Sequence, residues 1–186
     1  MRDGVRLCRR ETALVVVDVQ ERLFGAMEPE QREAMVRNLK ILVGAVRRLG
    51  MPVLVTEQYP KGLGHTLPEV REALGSVEPA SKVAFSCCGV EGFTERLRQG
   101  GARAVVLAGL ETHVCVLMTA LDLLAEGFAV HVPWDATVSR THRNWEFGLA
   151  LLRTEGAVVT TTETTVFQLL RQADTDDFRA LAPLLK

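Results

Sequence analysis

The run ALVVVD, residues 13–18, limits more than any other stretch what this chain can fold into. Five apolar residues in a row, closed by an acid, cannot form a strand with one wet face, because such strands alternate apolar and polar side chains. The run is also far too short to span a membrane. It therefore reads as a strand covered on both faces. Comparable runs recur at MPVLVTE (51–57), SKVAFS (81–86), ARAVVLAG (102–109), FAVHV (128–132) and AVVTT (157–161). Helical patterns lie between them. EQREAMVRNLKILVGAVRRLG places Met35, Leu39, Leu42, Val43 and Val46 on one face and closes at Gly50. Further helices are expected near 91–99, 113–126 and 141–155, with short ones at 163–171 and 175–184. Residues 58–80 form a long Gly/Pro-containing loop with one helical turn near LPEVREAL.

This rhythm predicts a doubly wound, three-layer α/β domain built on a parallel sheet, one domain over residues 1–186. Ligands of such sheets bind beyond the carboxyl ends of the strands. Chemistry is thus expected just after Asp18, Glu57, Phe85, Gly109 and Pro133. Composition narrows the partners. A formal net charge of −1 gives no footprint for nucleic acid or an anionic membrane, and 47% hydrophobic residues suit a soluble core. The N-terminal MRDGVRLCRRETALVVVD has no signal-peptide pattern. Four cysteines, Cys8, Cys87, Cys88 and Cys115, show no zinc-finger spacing, and a reducing cytoplasmic setting is the expectation.

Three reactive side chains fall at or near the ends of three different strands. Cys115 follows the fourth strand and opens a helix, where the dipole and unpaired N–H groups lower a thiol's pKa and can hold an oxyanion. Its plainer role is a small buried hydrophobe. Asp18 closes the first strand and is a candidate general base, or simply a turn carboxylate. Lys82 lies in the third strand and is either an electrostatic partner for the other two or a solvated surface residue. A parallel sheet brings such strand ends together, which favours the joint reading. Cys87–Cys88 is vicinal, not C-x-x-C, and reads as two semi-buried thiols. His65, His113, His131 and His142 form no paired metal motif, and no glycine-rich phosphate loop is present. Neither metal nor cofactor is expected.

Taken together, ALVVVDVQERLF (13–24), TEQYPKGLG (56–64), SKVAFSC (81–87), LAGLETHVCVLMTALDLLAEGFAVHVPWDATVSR (107–140) and GAVVTTTETTVFQLL (156–170) resemble the isochorismatase-like cysteine hydrolases. The G-x-x-T-x-x-C-V element falls on Gly109, Thr112, Cys115 and Val116, and the loop forms look closest to the isochorismatase-domain-containing branch. The resemblance implies a six-stranded parallel sheet in the order 3-2-1-4-5-6 and a catalytic triad on Asp18, Lys82 and Cys115. It also implies a cis peptide between Leu110 and Glu111, an oxyanion site made by the backbone N–H groups of Glu111 and Cys115, and a homo-oligomer. Two departures matter. EQYPKGLGH lacks the paired histidines of the nicotinamidase metal site, and the retained cysteine argues against isochorismate, which is cleaved without one. The implied activity is hydrolysis of a small amide, ureide or related C–N substrate through a thioester. Phe24, Gln58, Tyr59 and Trp134, on loops after the first, second and fifth strands, are the expected pocket lining. The rival reading is a binding or scaffold protein, or a thiol redox sensor, on the same fold.

Overall fold

The computed structural model describes residues 6–185. The first five residues of the N-terminal stretch and Lys186 lie outside the described residues. In chain order the elements are β1 (Thr12–Val17), α1 (Glu21–Gly25), α2 (Pro29–Arg48), β2 (Val53–Gln58), α3 (Pro60–Leu63), α4 (Pro68–Leu74), β3 (Ala80–Lys82) and α5 (Phe93–Gln99). They continue with β4 (Ala104–Leu110), α6 (Leu117–Ala125), β5 (Ala129–Pro133), β6 (Thr137–Val138), α7 (His142–Thr154), β7 (Val158–Thr160), α8 (Thr162–Leu170) and α9 (Asp176–Leu181).

The sheet is parallel and runs β3-β2-β1-β4-β5-β7, with the two-residue β6 pairing alongside β4. The expected order holds. The predicted sixth strand is β7, and β6 is the addition that sequence did not reveal. β1 explains the architecture. Leu14 and Val16 face one side and pack with Leu39, Leu42, Val43 and Val46 of α2. Ala13, Val15 and Val17 face the other, with Phe93 and Leu97 of α5, Leu123 of α6 and Leu152 of α7. Period-two alternation thus serves two cores at once, which is why residues 13–17 of the strand are all apolar. Among the described residues no helix is long and apolar enough to cross a membrane.

Two expectations about local structure need correction. The third strand was expected over 81–86 but ends at Lys82. Val83 and Phe85 are 80% and 53% exposed, and the Lys82 ammonium draws the carbonyls of Ala84 and Phe85 around itself, curling the chain away from the sheet. The stretch 58–80 holds two helices, α3 and α4, each opened by a proline in its first turn, where the missing N–H costs nothing.

Candidate functional site

Asp18 stands one residue past β1 with φ +51, a left-handed backbone that aspartate tolerates better than most side chains. Its N–H donates to the Thr56 carbonyl at 3.1 Å, and its own carbonyl accepts from Gln20 at 2.8 Å. The side chain is fully buried. Oδ1 accepts from the Thr56 hydroxyl at 2.8 Å and Oδ2 from Lys82 Nζ at 2.6 Å. The ammonium has three hydrogens, and its remaining acceptors are Gln58 Oε1 at 2.7 Å, the Phe85 carbonyl at 2.9 Å and the Ala84 carbonyl at 3.1 Å. A buried ion pair survives desolvation only with such additional bonds.

Cys115 arrives from the next strand. Gly109, at φ +129, lies level with Val17 in the β1–β4 register, and a Cβ there would sit 2.1 Å from the Val17 carbonyl oxygen. Only glycine lets β4 run this close to β1 at the height of Asp18. The Leu110–Glu111 peptide is cis. The chain then makes a π-helical turn over Thr112–Val116 before α6 begins, where a simple α-helical start had been expected. The Glu111 carbonyl accepts from the N–H groups of Val114 and Val116, on either side of Cys115. Gly148 of α7 packs against the His113 backbone, where an added Cβ would come within 3.0 Å of the His113 N and Cα.

Cys115 is 5% exposed, and its thiol feels the charges of both Asp18 and Lys82. Its acidity corrects the sequence reading. Burial, then the Asp18 charge, push the thiol up to about 12, outweighing Lys82. A helix start alone would lower it, but the carboxylate and the loss of water decide the sign. Burial and the neighbouring carboxyl group thus act to keep the proton on the thiol.

Asp18, Lys82 and Cys115 are thus brought together. Of the expected pocket residues, Gln58 reaches this cluster by accepting from Lys82, while its amide donates to the Val83 carbonyl at 2.8 Å. The other three are placed differently. Phe24 packs on the α2-side core beneath the Arg32 guanidinium, Tyr59 is more than half exposed, and Trp134 meets Trp145 edge to face. Three polar residues that sequence reasoning passed over complete the framework. Buried Gln20 ties the loops after β1 and β2 together, donating to the Gln58 and Gly64 carbonyls and accepting from the Gln58 N–H at 2.7 Å. Thr56 supports Asp18. Arg140 clamps the buried Glu111 carboxylate. Only Thr56 carried a signal in sequence, since a polar side chain inside an apolar strand needs a partner. The Glu57 carboxylate, where the nicotinamidase metal site would lie, accepts from the Thr66 N–H and hydroxyl and meets His65 Nδ1 at 3.1 Å. Burial raises its pKa, but these bonds win and hold it below the usual carboxylate value. A cavity of about 600 Å³ lies at the opposite, amino end of the strands, lined by Cys8, Thr12, Arg103 and Phe128, away from this cluster.

A doubly wound sheet in this order, with a carboxylate, a lysine and a thiol converging beyond its carboxyl edge, defines an isochorismatase-like α/β protein. The Isochorismatase domain family matches residues 12–164, and the chain belongs to that family. It is 36% identical over 182 residues to isochorismatase domain-containing protein 2 of Xenopus laevis, covering 97% of this chain and 86% of that one. Its structure resembles that of a Caenorhabditis elegans protein described as MAR1 ribonuclease, with a TM-score of 0.91, 36% identity, and 97% and 92% of the two chains covered. The Escherichia coli YcaC gene product, described as an octameric hydrolase of unknown specificity, shares the fold at a TM-score of 0.88 and 22% identity over 99% and 92% of the chains.

Proposed function

We propose that this chain is a cysteine hydrolase of small amides, ureides or related C–N substrates, acting without a cofactor through Asp18, Lys82 and Cys115. Membership of the isochorismatase family supports hydrolysis in general. The observation that carries the finer reading is a buried thiol, Cys115, that feels the charge of Asp18, a buried carboxylate held by Lys82 through Oδ2. With the thiol near 12, the nucleophile forms during attack and not before it. As sulfur bonds to the substrate carbonyl carbon, the thiol proton passes to Asp18. The backbone N–H groups of Glu111 and Cys115 hold the oxyanion, and Lys82 keeps the carboxylate oriented. Collapse breaks the C–N bond, and Asp18 gives its proton to the leaving nitrogen. Water then attacks the thioester, delivering a proton to Asp18 that returns to the departing sulfur. Gln58 fixes Lys82 from the pocket side. The octameric Escherichia coli neighbour supports a homo-oligomer, and the four reduced cysteines suit a cytoplasmic setting.

A redox-sensing role fits less well, because oxidation favours exposed thiolates and Cys115 is buried and protonated. The test is release of amine or ammonia from a panel of small amides and ureides, with RNA as a control because the Caenorhabditis elegans neighbour is described as a ribonuclease. Turnover by the native chain, lost by about 10³-fold or more in a folded Cys115→Ala variant, is the expected result. Equal turnover by the variant overturns the mechanism.

A further inference from the structure

The Glu111 carboxylate is 5% exposed, an expensive place for a charge. Three bonds from one residue hold it there. The Arg140 backbone N–H donates to Oε2 at 3.0 Å, Nε donates to Oε2 at 3.0 Å, and Nη2 donates to Oε1 at 2.6 Å. Fork-to-fork pairs of this kind fix direction as well as distance. Arg140 is itself anchored by the segment that leads to it. β6 pairs with the end of β4, setting Thr137 beside Gly109 and Val138 beside Leu110. The next residue, buried Ser139, meets His113 Nδ1 at 2.9 Å through its hydroxyl and accepts from the Glu28 N–H through its carbonyl. Residues 137–140 therefore run along the backbone from Gly109 to His113 and grip it at successive points. The final grip is on residue 111, whose carbonyl in turn accepts from Val114 and Val116 around Cys115.

We propose that Arg140 is a positioning residue for the oxyanion site, fixing the residue 111 peptide through the Glu111 carboxylate without touching substrate. This rests on the proposed hydrolase reading, in which the Glu111 N–H faces the developing oxyanion. Donors of that kind work only when held in place before charge develops. Thr137, Val138 and Ser139 supply the rail, and Arg140 supplies the lock. An arginine is needed because a lysine offers a single charged point in place of two parallel donors.

Two probes of Cys115 separate positioning from general loosening. Acetylation by p-nitrophenyl acetate passes through a tetrahedral oxyanion. Alkylation by iodoacetamide displaces iodide and forms none. Both rates are followed at Cys115 by mapped mass spectrometry on the full chain, with far-ultraviolet circular dichroism confirming the fold. In Arg140→Ala, acetylation is expected to fall by about tenfold or more while alkylation stays within about twofold of native, with Arg140→Lys recovering part of the loss. Glu111→Gln removes the charge pair without removing the peptide, and is expected to repeat the Arg140→Ala pattern, with acetylation reduced and alkylation close to native. A parallel change in both rates in Arg140→Ala and Glu111→Gln overturns positioning in favour of a structural tie. Unchanged acetylation in both variants, with a reactive native chain, overturns this inference alone. A native Cys115 that alkylates but never acetylates overturns the hydrolase reading and the inference with it.

Discussion

The turn after β3 and the turn after β4 each carry a buried thiol that feels the same carboxylate. Cys87 is fully buried, and its Sγ lies 3.4 Å from the Thr56 hydroxyl, which itself donates to Asp18. Cys115 feels the charges of Asp18 and Lys82 as well. Burial first, then Asp18, push both thiols up, Cys87 to about 11 and Cys115 to about 12. Acidity therefore does not distinguish the proposed nucleophile from the bystander, and even ranks them the wrong way. What differs is connection. In the proposed mechanism Cys115 hands its proton to Asp18 itself, and it sits in the π-helical turn beside Glu111. Cys87 has a hydroxyl in between, and its backbone N–H is committed to Thr119 at 2.9 Å. In a site of this kind, proton path and backbone donors outrank a depressed pKa.

The comparison depends on the buried Asp18–Lys82 pair. Replacing Lys82 with methionine leaves a buried carboxylate with its cation gone, and we expect a loss of about 3–5 kcal/mol in urea-monitored unfolding. A loss below about 1 kcal/mol would mean that this pair is worth no more than an exposed one and does not hold the site together. Thr56→Val is a smaller perturbation. It severs the link from Cys87 to Asp18 and leaves Oδ1 short of one donor, at an expected cost of about 1–3 kcal/mol. If the variant is as stable as the native chain, the hydroxyl carries nothing and Cys87 is isolated from the site.

These residues also mark how far sequence reached. β1 was legible because a doubly covered strand needs uninterrupted apolar side chains, and that pattern has few alternatives. Asp18, Lys82 and Cys115 were legible as a set because the topology fixes where strand ends meet. The end of β3 was not. Val83 and Phe85 look like strand residues, yet the capture of the Ala84 and Phe85 carbonyls by Lys82 is a tertiary event with no local signature. The π-helical turn was equally hidden, since five residues are too few to separate its period from that of an α-helix. The direction of the Cys115 shift was missed for a related reason. A helix start is visible in sequence, whereas the burial and carboxylate that overrule it belong to the assembled site.

The smallest expected effect tests the acidity of Cys87, the bystander thiol, beside that of its neighbour Cys88. Folded Cys87 and Cys88 each hold their proton up to about 11, against an ordinary 9.0, burial being the main cause in both. An unfolded chain releases the same protons near the ordinary value, so between about pH 9 and pH 11 the folded state binds more protons than the unfolded state. Stability is then full below pH 9 and falls as pH rises, by at most about 1.4 kcal/mol per pH unit for each such thiol. Cys87→Ala is expected to lower stability at neutral pH by leaving a small void, yet to flatten the alkaline slope measured by urea titrations between pH 8.5 and pH 10 at matched ionic strength. The slope, not the absolute stability, is the informative quantity, because the void costs the same at every pH. An unchanged slope would mean that Cys87 gives up its proton as readily folded as unfolded. Cys87 and Cys115 would then differ in acidity after all, and proton path alone would no longer separate them.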